Sequence, residues 1–274
     1  MLRRKRMQEK IDITVFGCER DEAAAFRKLS SEYGVTVSLI EDAVSEHNAK
    51  LAEYSPGSVA DYTVMLMLML LRGTKSVLRG TQKQNYCLND CRGKELQDLT
   101  VGVLGTGRIG QAVMERLEGF GCKVLAYDRN HKAGANYVSF CELLKSSDIV
   151  TLHVPLAEDT RHMIGREQLE MMKREALLIN TARGALVDTA ALVAALKEQK
   201  IGGAALDVLE GEEGIFYHEC TQKTTGHPYL SVLQKMPNVI VTPHRAYHTD
   251  RVLVDTVSNT IRNCLNFERS LGNV

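Results

Sequence analysis

The sequence predicts an α/β protein: a doubly wound parallel sheet with a second, smaller, discontinuous domain built from the two ends of the chain. Three observations carry that prediction. A glycine-rich turn, Gly105-Thr106-Gly107-Arg108-Ile109-Gly110, follows the apolar run Leu99-Thr100-Val101-Gly102-Val103-Leu104 and opens a helical stretch over 111–120. From Leu99 onward, short apolar runs alternate with helical segments, as strands joined by crossover helices do. The last helical stretch carries Val254, Val257, Ile261 and Leu265 on one face, which suits docking back onto the first segment.

In chain order, 11–16 reads as a strand, 21–33 as a helix and 35–40 as a second strand, one βαβ-like unit. Two strands are too few for an independent sheet. Residues 41–53 lead to Tyr54-Ser55-Pro56-Gly57, after which Ser58 and Asp61 form a capping-box start for a long helix to about Leu71. Further strands are expected near Val124, near Ile149, and over 176–180, 204–206 and 239–241, with a final helix over about 249–267. The expected boundaries are 1–92 with 246–274 for the smaller domain and 93–245 for the sheet. No internal repeat or low-complexity tract interrupts the pattern.

At 274 residues, 44% apolar and 25% charged, the chain has the composition of an ordinary globular protein with one large or two modest cores. A formal net charge of zero recommends neither a nucleic acid nor an anionic membrane as partner. The longest apolar run, Val64-Met65-Leu66-Met67-Leu68-Met69-Leu70-Leu71, is far short of a bilayer span and reads as a buried helix face or a subunit interface, hence an expected homodimer. Seven scattered cysteines point to free thiols in a reducing compartment, so the expected location is cytoplasmic. Cys87 and Cys91 are the one close pair; without a second pair or nearby histidines they give no metal site. The basic start of the chain is followed by no apolar core of a signal peptide and reads as a solvated extension.

Strand, glycine turn and helix in that order make a dinucleotide site, the Rossmann arrangement. Gly105 lets the chain reverse, Gly107 lets the backbone approach a pyrophosphate, and Gly110 allows close packing of helix on strand. Asp128 follows the second strand, where a carboxylate accepts hydrogen bonds from a ribose 2′-hydroxyl and repels a 2′-phosphate. NAD is thereby favoured over NADP, although Arg129 is a group able to hold a 2′-phosphate. Three polar residues follow later strands: Arg183 in Asn180-Thr181-Ala182-Arg183-Gly184, Glu212 past Ala205-Leu206-Asp207, and His244 in Thr242-Pro243-His244. Ligands of open α/β sheets bind at those strand ends. A histidine moves protons near neutral pH, a carboxylate beside it fixes the ring, and an arginine grips a carboxylate and polarises a carbonyl. Each alone also has a plain structural reading, as surface ion pair, solvated acid or turn residue.

Together these segments resemble the NAD-dependent D-2-hydroxyacid dehydrogenases, most closely the D-lactate dehydrogenases, including the branch known from vancomycin resistance. The resemblance runs from about Tyr54 to the C-terminus through the glycine turn, His153-Val154-Pro155-Leu156, Asn180-Thr181-Ala182-Arg183-Gly184, Ala205-Leu206-Asp207-Val208 and Thr242-Pro243-His244. Gly211-Glu212-Glu213-Gly214-Ile215-Phe216-Tyr217 and Ala246-Tyr247 look like the D-lactate branch in particular. It implies that His244 protonates the carbonyl oxygen of a 2-oxo acid, with Glu212 supporting the imidazolium and Arg183 holding carboxylate and carbonyl. Pyruvate would become D-lactate. It further implies Asp207 and Asn180 near the nicotinamide, Arg108 and Ile109 at the pyrophosphate, Asp128 at the adenosine ribose, Val154, Pro155 and Thr160 along the cofactor groove, and Tyr54 and Tyr247 facing substrate.

The resemblance implies a smaller, flavodoxin-like domain of several βα units, and against that pattern about half of it is expected to be absent between Glu53 and Tyr54. The missing stretch would carry a glycine-containing loop that holds the substrate carboxylate, leaving Arg183 to orient the substrate. Alternatives are therefore a catalytically impaired NAD-binding homologue, an enzyme for a bulkier keto acid, and a dinucleotide-sensing module of the corepressor type, for which no partner-binding tail is visible. Arg245, beside His244, either disfavours the imidazolium or adds a carboxylate contact.

Overall fold

The computed structural model describes residues 12–16, 20–40, 56–88, 92–221 and 225–270. Its elements begin with β1 (Asp12–Phe16), α1 (Arg20–Tyr33), β2 (Thr36–Ile40), α2 (Pro56–Leu71), α3 (Thr74–Gln82), β3 (Thr100–Leu104), α4 (Arg108–Glu118) and β4 (Lys123–Tyr127). They continue with α5 (Phe140–Ser146), β5 (Ile149–Leu152), α6 (Arg166–Met171), β6 (Leu177–Asn180), α7 (Thr189–Lys197), β7 (Gly203–Leu206), α8 (Leu230–Lys235), β8 (Val239–Val241) and α9 (Asp250–Ser270). Two compact units result, one from the ends of the chain and one from Pro56 to Ala246.

In the smaller unit β1 and β2 pair in parallel, Ile13 opposite Val37. Ile13, Phe26, Leu29 and Val35 bury against Val257 and Ile261 of α9, with Leu265 packed beside them. Val254, expected on that face, is instead 45% exposed, and the α9 residues buried in this core are Val257 and Ile261. The segment in which a truncation is expected lies outside the described residues.

The larger unit is a six-stranded parallel sheet in the order β4-β3-β5-β6-β7-β8. Its central strands are covered on both faces, so β5 and β7 are buried throughout rather than alternating with solvent. Alternate residues of each strand feed separate cores: Val101, Val103 and Ile179 pack under α2 and α4, whereas Leu104, Val150 and Leu178 pack under the helices of the other face. Within α2, Leu66 and Met67 are fully buried, and side chains of this size each contribute about 1.5–3 kcal/mol of transfer free energy.

That packing explains two differences from the sequence reading. The helix α2 belongs to the sheet-bearing unit, so the division falls at Pro56 rather than at 92/93. It also starts at Pro56 and not at Ser58; proline's fixed φ and missing N–H suit the first helical position, and the Asp61 carboxylate pairs with Arg116 of α4. Helix α3, which the pattern did not announce, is tied down through Lys75, whose ammonium donates to the carbonyls of Gln234, Met236 and Val239. Among the described residues, Cys87, Cys122, Cys141 and Cys220 are free thiols, and no helix is long and apolar enough to cross a membrane.

His153 leaves the end of β5 with Nε2 3.0 Å from Thr151 Oγ1, while its Nδ1 is shut off from solvent with no partner among the described residues. Burial holds its pKa near 3, against an ordinary 6.5. Between those values the unfolded chain binds a proton that the folded chain refuses, so stability present above pH 6.5 falls as pH drops through this window. The expected loss from this group is about 2 kcal/mol by pH 5. Urea unfolding at pH 7 and pH 5 measures it: His153→Gln flattens the pH dependence, and an unchanged slope in that variant rejects the account.

Candidate active site

The turn leaving β3 is shaped by contacts that only glycine allows. Gly105 adopts φ +94, and a Cβ there would stand 2.6 Å from the His153 carbonyl oxygen. A Cβ on Gly110 would come within 1.9 Å of the Gly105 carbonyl oxygen, so α4 starts against the turn itself. Gly107, the residue capping α4, is different: nothing lies within 4 Å of its missing Cβ. The space in front of the helix N-terminus is one the protein does not fill, and a pyrophosphate fits its charge and its exposed N–H groups. Arg108 is exposed at the first helical position, while Ile109 is half-buried against the core behind.

Asp128 sits just past β4 and faces this turn. Its Oδ2 accepts from the Thr106 N–H at 2.6 Å and hydroxyl at 3.1 Å, and its Oδ1 accepts from the Asn130 N–H at 2.9 Å. Burial pushes its carboxyl up, but the Asn130 and Thr106 hydrogen bonds outweigh it and hold the group ionised below the usual carboxylate range. On the other side of β3, the loop leaving β5 carries half-buried Val154, exposed Pro155 and buried Thr160. The Thr160 hydroxyl donates to the Pro155 carbonyl and accepts from the Ala157 N–H, both at 2.8 Å, fixing the loop's shape.

Strands β6, β7 and β8 are neighbours, so Arg183, Glu212 and His244 arrive at the same sheet edge as the glycine turn. Arg183 is exposed and donates to the Ala182 carbonyl at 2.6 Å. Its loop is held from below by the buried Asn180 amide, which donates to the Arg183 carbonyl at 2.9 Å and accepts from the Ala182 N–H at 3.0 Å. Glu212 splits its oxygens: Oε2 accepts from the Leu209 N–H and Oε1 lies against His244 Nδ1, each at 2.6 Å. Asp207, 1% exposed, accepts from the Thr242 hydroxyl at 2.5 Å and from the Arg245 and Ala246 N–H groups at 2.9 and 2.8 Å.

Asp207 and Asn180 therefore have a visible task other than the cofactor contact expected of them: each holds a turn that presents another residue. Arg245 is exposed, engaged through its backbone N–H. Tyr54 lies outside the described residues, and Tyr247 lies in the smaller unit, edge-on to His248 at 6.2 Å. The described residues contain no group of His, Cys, Asp and Glu that could hold a metal ion.

One residue at the edge had no role in the sequence reading. Tyr217 donates its hydroxyl to the His244 carbonyl at 3.1 Å, and its ring lies 5.7 Å from the imidazole, tilted by 33°. Both residues have left-handed backbones, φ +67 and +53, an uncommon state for non-glycine residues that surrounding contacts must hold. The cluster of glycines and acids before it hid the signal.

A dinucleotide cradle at the point where strand order reverses, with a histidine–carboxylate pair and an arginine on the neighbouring strand ends, defines a nucleotide-dependent oxidoreductase. The chain belongs to the D-isomer specific 2-hydroxyacid dehydrogenases, whose NAD binding domain matches residues 64–246. It is similar to a D-specific alpha-keto acid dehydrogenase of Enterococcus faecalis, 52% identical over 320 residues that cover 97% of this chain and 99% of the relative. An aromatic 2-oxoacid reductase of Clostridium sporogenes is 42% identical over 83% of this chain and 71% of its own. Among solved structures, the NAD-complexed D-isomer specific 2-hydroxyacid dehydrogenase of Lactobacillus delbrueckii ssp. bulgaricus aligns with TM-score 0.85 at 29% identity, covering 94% of this chain and 97% of that one. The protein is thus an NAD-dependent D-2-hydroxyacid dehydrogenase.

The Tyr217 contact predicts a kinetic effect. Tyr217→Phe keeps the ring and removes one hydrogen bond, worth a loss in kcat of about two- to tenfold with KM less affected. Steady-state kinetics identical to the parent would show that the His244 turn holds without it.

Proposed function

We propose that the chain reduces a small 2-oxo acid, pyruvate foremost, to the D-2-hydroxy acid, with His244 as proton donor. The 2.6 Å contact between His244 Nδ1 and Glu212 carries this reading. A carboxylate only accepts, so Nδ1 bears a hydrogen, and Nε2 is the nitrogen proposed to serve the carbonyl oxygen. Arg183 spends one donor on the Ala182 carbonyl, and its planar fork suits a two-pronged grip on the substrate carboxylate. NADH, when bound, supplies the hydride that the carbonyl carbon receives. Gly105, Gly107, Arg108, Ile109 and Gly110 would receive the pyrophosphate, Asp128 the adenosine ribose, and Val154, Pro155 and Thr160 the length of the groove. Asn180 and Asp207 serve the nicotinamide end by holding the turns of Arg183 and His244, and Tyr54 and Tyr247 are proposed substrate contacts. The names of the relatives, which include D-lactate dehydrogenases and an aromatic 2-oxoacid reductase, support a 2-oxo acid whose side chain ranges from methyl to bulkier groups.

A second reading has its own observation. The match to the enterococcal relative runs over 320 residues, more than the 274 of this chain, which supports a stretch missing from the chain relative to that protein; the proposed place is between Glu53 and Tyr54. Positioning contributes about 7–11 kcal/mol to well-oriented reactions. A chain lacking part of its substrate clamp would bind NADH yet turn over weakly.

NADH fluorescence titration beside NADH oxidation with pyruvate and bulkier 2-oxo acids separates the two readings. His244→Ala should lower kcat/KM by about 10²–10⁴-fold and leave NADH affinity within about twofold; persistent reduction removes His244 as donor. Tight NADH binding without turnover of any keto acid by the parent chain selects the second reading.

Association is proposed through α2 and the end of α4, where Met65 and Phe120 are 39% and 40% exposed beside Val64 and Leu68. Sedimentation should give a dimer for the parent and a monomer for Met65→Glu. A monomeric parent rejects the assignment.

A further inference from the structure

Strands β4 and β5 lie on either side of β3, so the segments leaving their carboxyl ends flank the glycine-rich turn. One ion pair joins the two flanks. Arg129, the second residue past β4, presents Nη2 to Oδ2 of Asp159 in the loop past β5. Asp128, its neighbour, turns its carboxylate the other way, into the N–H and hydroxyl of Thr106. Consecutive residues thus divide the work: the acid faces the turn, and the guanidinium is drawn across to a second acid. Both members of the pair are more than half exposed, at 64% and 54%, so solvent can exchange with the contact and a competing anion can reach it.

A guanidinium next to the ribose-binding acid is the group an NADP-type 2′-phosphate would seek. We propose that Asp159 is a cofactor-specificity residue: it engages Arg129 and thereby withholds from NADPH the cation its 2′-phosphate requires. A phosphate at Arg129 must displace the Asp159 carboxylate and then lie beside it. The inference rests on Asp128 as the ribose partner. Its size is bounded, because an exposed ion pair biases an equilibrium by no more than about fivefold. Asp159 therefore sharpens a preference whose larger share belongs to Asp128.

The test is fluorescence titration of the full chain with NADH and with NADPH at low ionic strength, where an exposed pair is least screened. It requires no turnover. Asp159→Asn keeps size and removes charge; its melting temperature should match the parent, and its NADPH affinity relative to NADH should rise about three- to fivefold. Adding Arg129→Leu to that variant should return the ratio to the parental value, which a general loosening of the loop would not do. An unchanged ratio in Asp159→Asn, or a raised ratio that survives Arg129→Leu, overturns the proposal. Asp128→Ala is read separately: if it leaves the ratio unmoved, the ribose assignment fails, and if it raises the ratio while Asp159→Asn does not, only the role of Asp159 fails.

Discussion

The carboxylate of Asp207, buried at the end of β7, is the interaction on which the proposed chemistry depends. An ionised carboxylate out of water is tolerated only when its lone pairs are met. Here the donors come from Thr242, Arg245 and Ala246, the residues on both sides of His244. The backbone of Asp207 adds a further bond, accepting from the His244 N–H at 2.7 Å. The left-handed conformation of His244 is therefore imposed from the strand below. Loss of the turn would strand a buried carboxyl group without its donors, so the sheet edge and the His244 turn fold as one. Asn180 repeats the device in neutral form beneath Arg183, one strand away.

Parallel strands bring these two turns and the glycine turn to a single edge, because every strand runs the same way and every crossover returns to the far side. The consequence is modular. Gly105 to Gly110, Asp128, Arg183, Glu212 and His244 all fall between Pro56 and Ala246, within one compact unit. The proposed cofactor site and the geometry of the proposed proton donor then belong to that unit, and a stretch missing before Pro56 would act on substrate placement instead. The proposed loss of part of the smaller domain is for this reason a question about KM and orientation more than about NADH.

The glycine turn was legible because each of its glycines answers a separate steric demand that leaves a mark in sequence: reversal at Gly105, open space at Gly107, contact at Gly110. Alternation of apolar runs likewise gave the strands of the larger sheet. What escaped was set by partners far away in the chain. Helix α3 buries no residue and begins after a left-handed Gly73, so no apolar period announces it; its anchor is Lys75, reaching carbonyls more than 150 positions later. The apolar face of α2 reads the same whichever unit it covers, which is why the boundary was expected at 92/93. Asp207 and Asn180 at strand ends look like ligand contacts until their own chain is seen to use both ends of each side chain. Arg129 and Asp159 stand 30 positions apart and meet only because β3 lies between their strands.

Glu212 shows how the order of these constraints bears on chemistry. One of its oxygens is committed to the Leu209 N–H, and that backbone is fixed in turn by Gly184, whose missing Cβ would lie 2.1 Å from the Leu209 carbonyl carbon. The carboxylate is thus aimed before it meets an imidazole. With the His244 backbone held by Asp207 from the opposite side, Glu212 cannot swing away from the imidazole without also breaking its bond with the Leu209 N–H. Groups aimed during folding need little reorganisation when charge develops on a substrate oxygen, which is where electrostatic catalysis gains most. The same rigidity makes the site intolerant: Gly184 with any side chain would push the Leu209 backbone, and through it the carboxylate that orients His244.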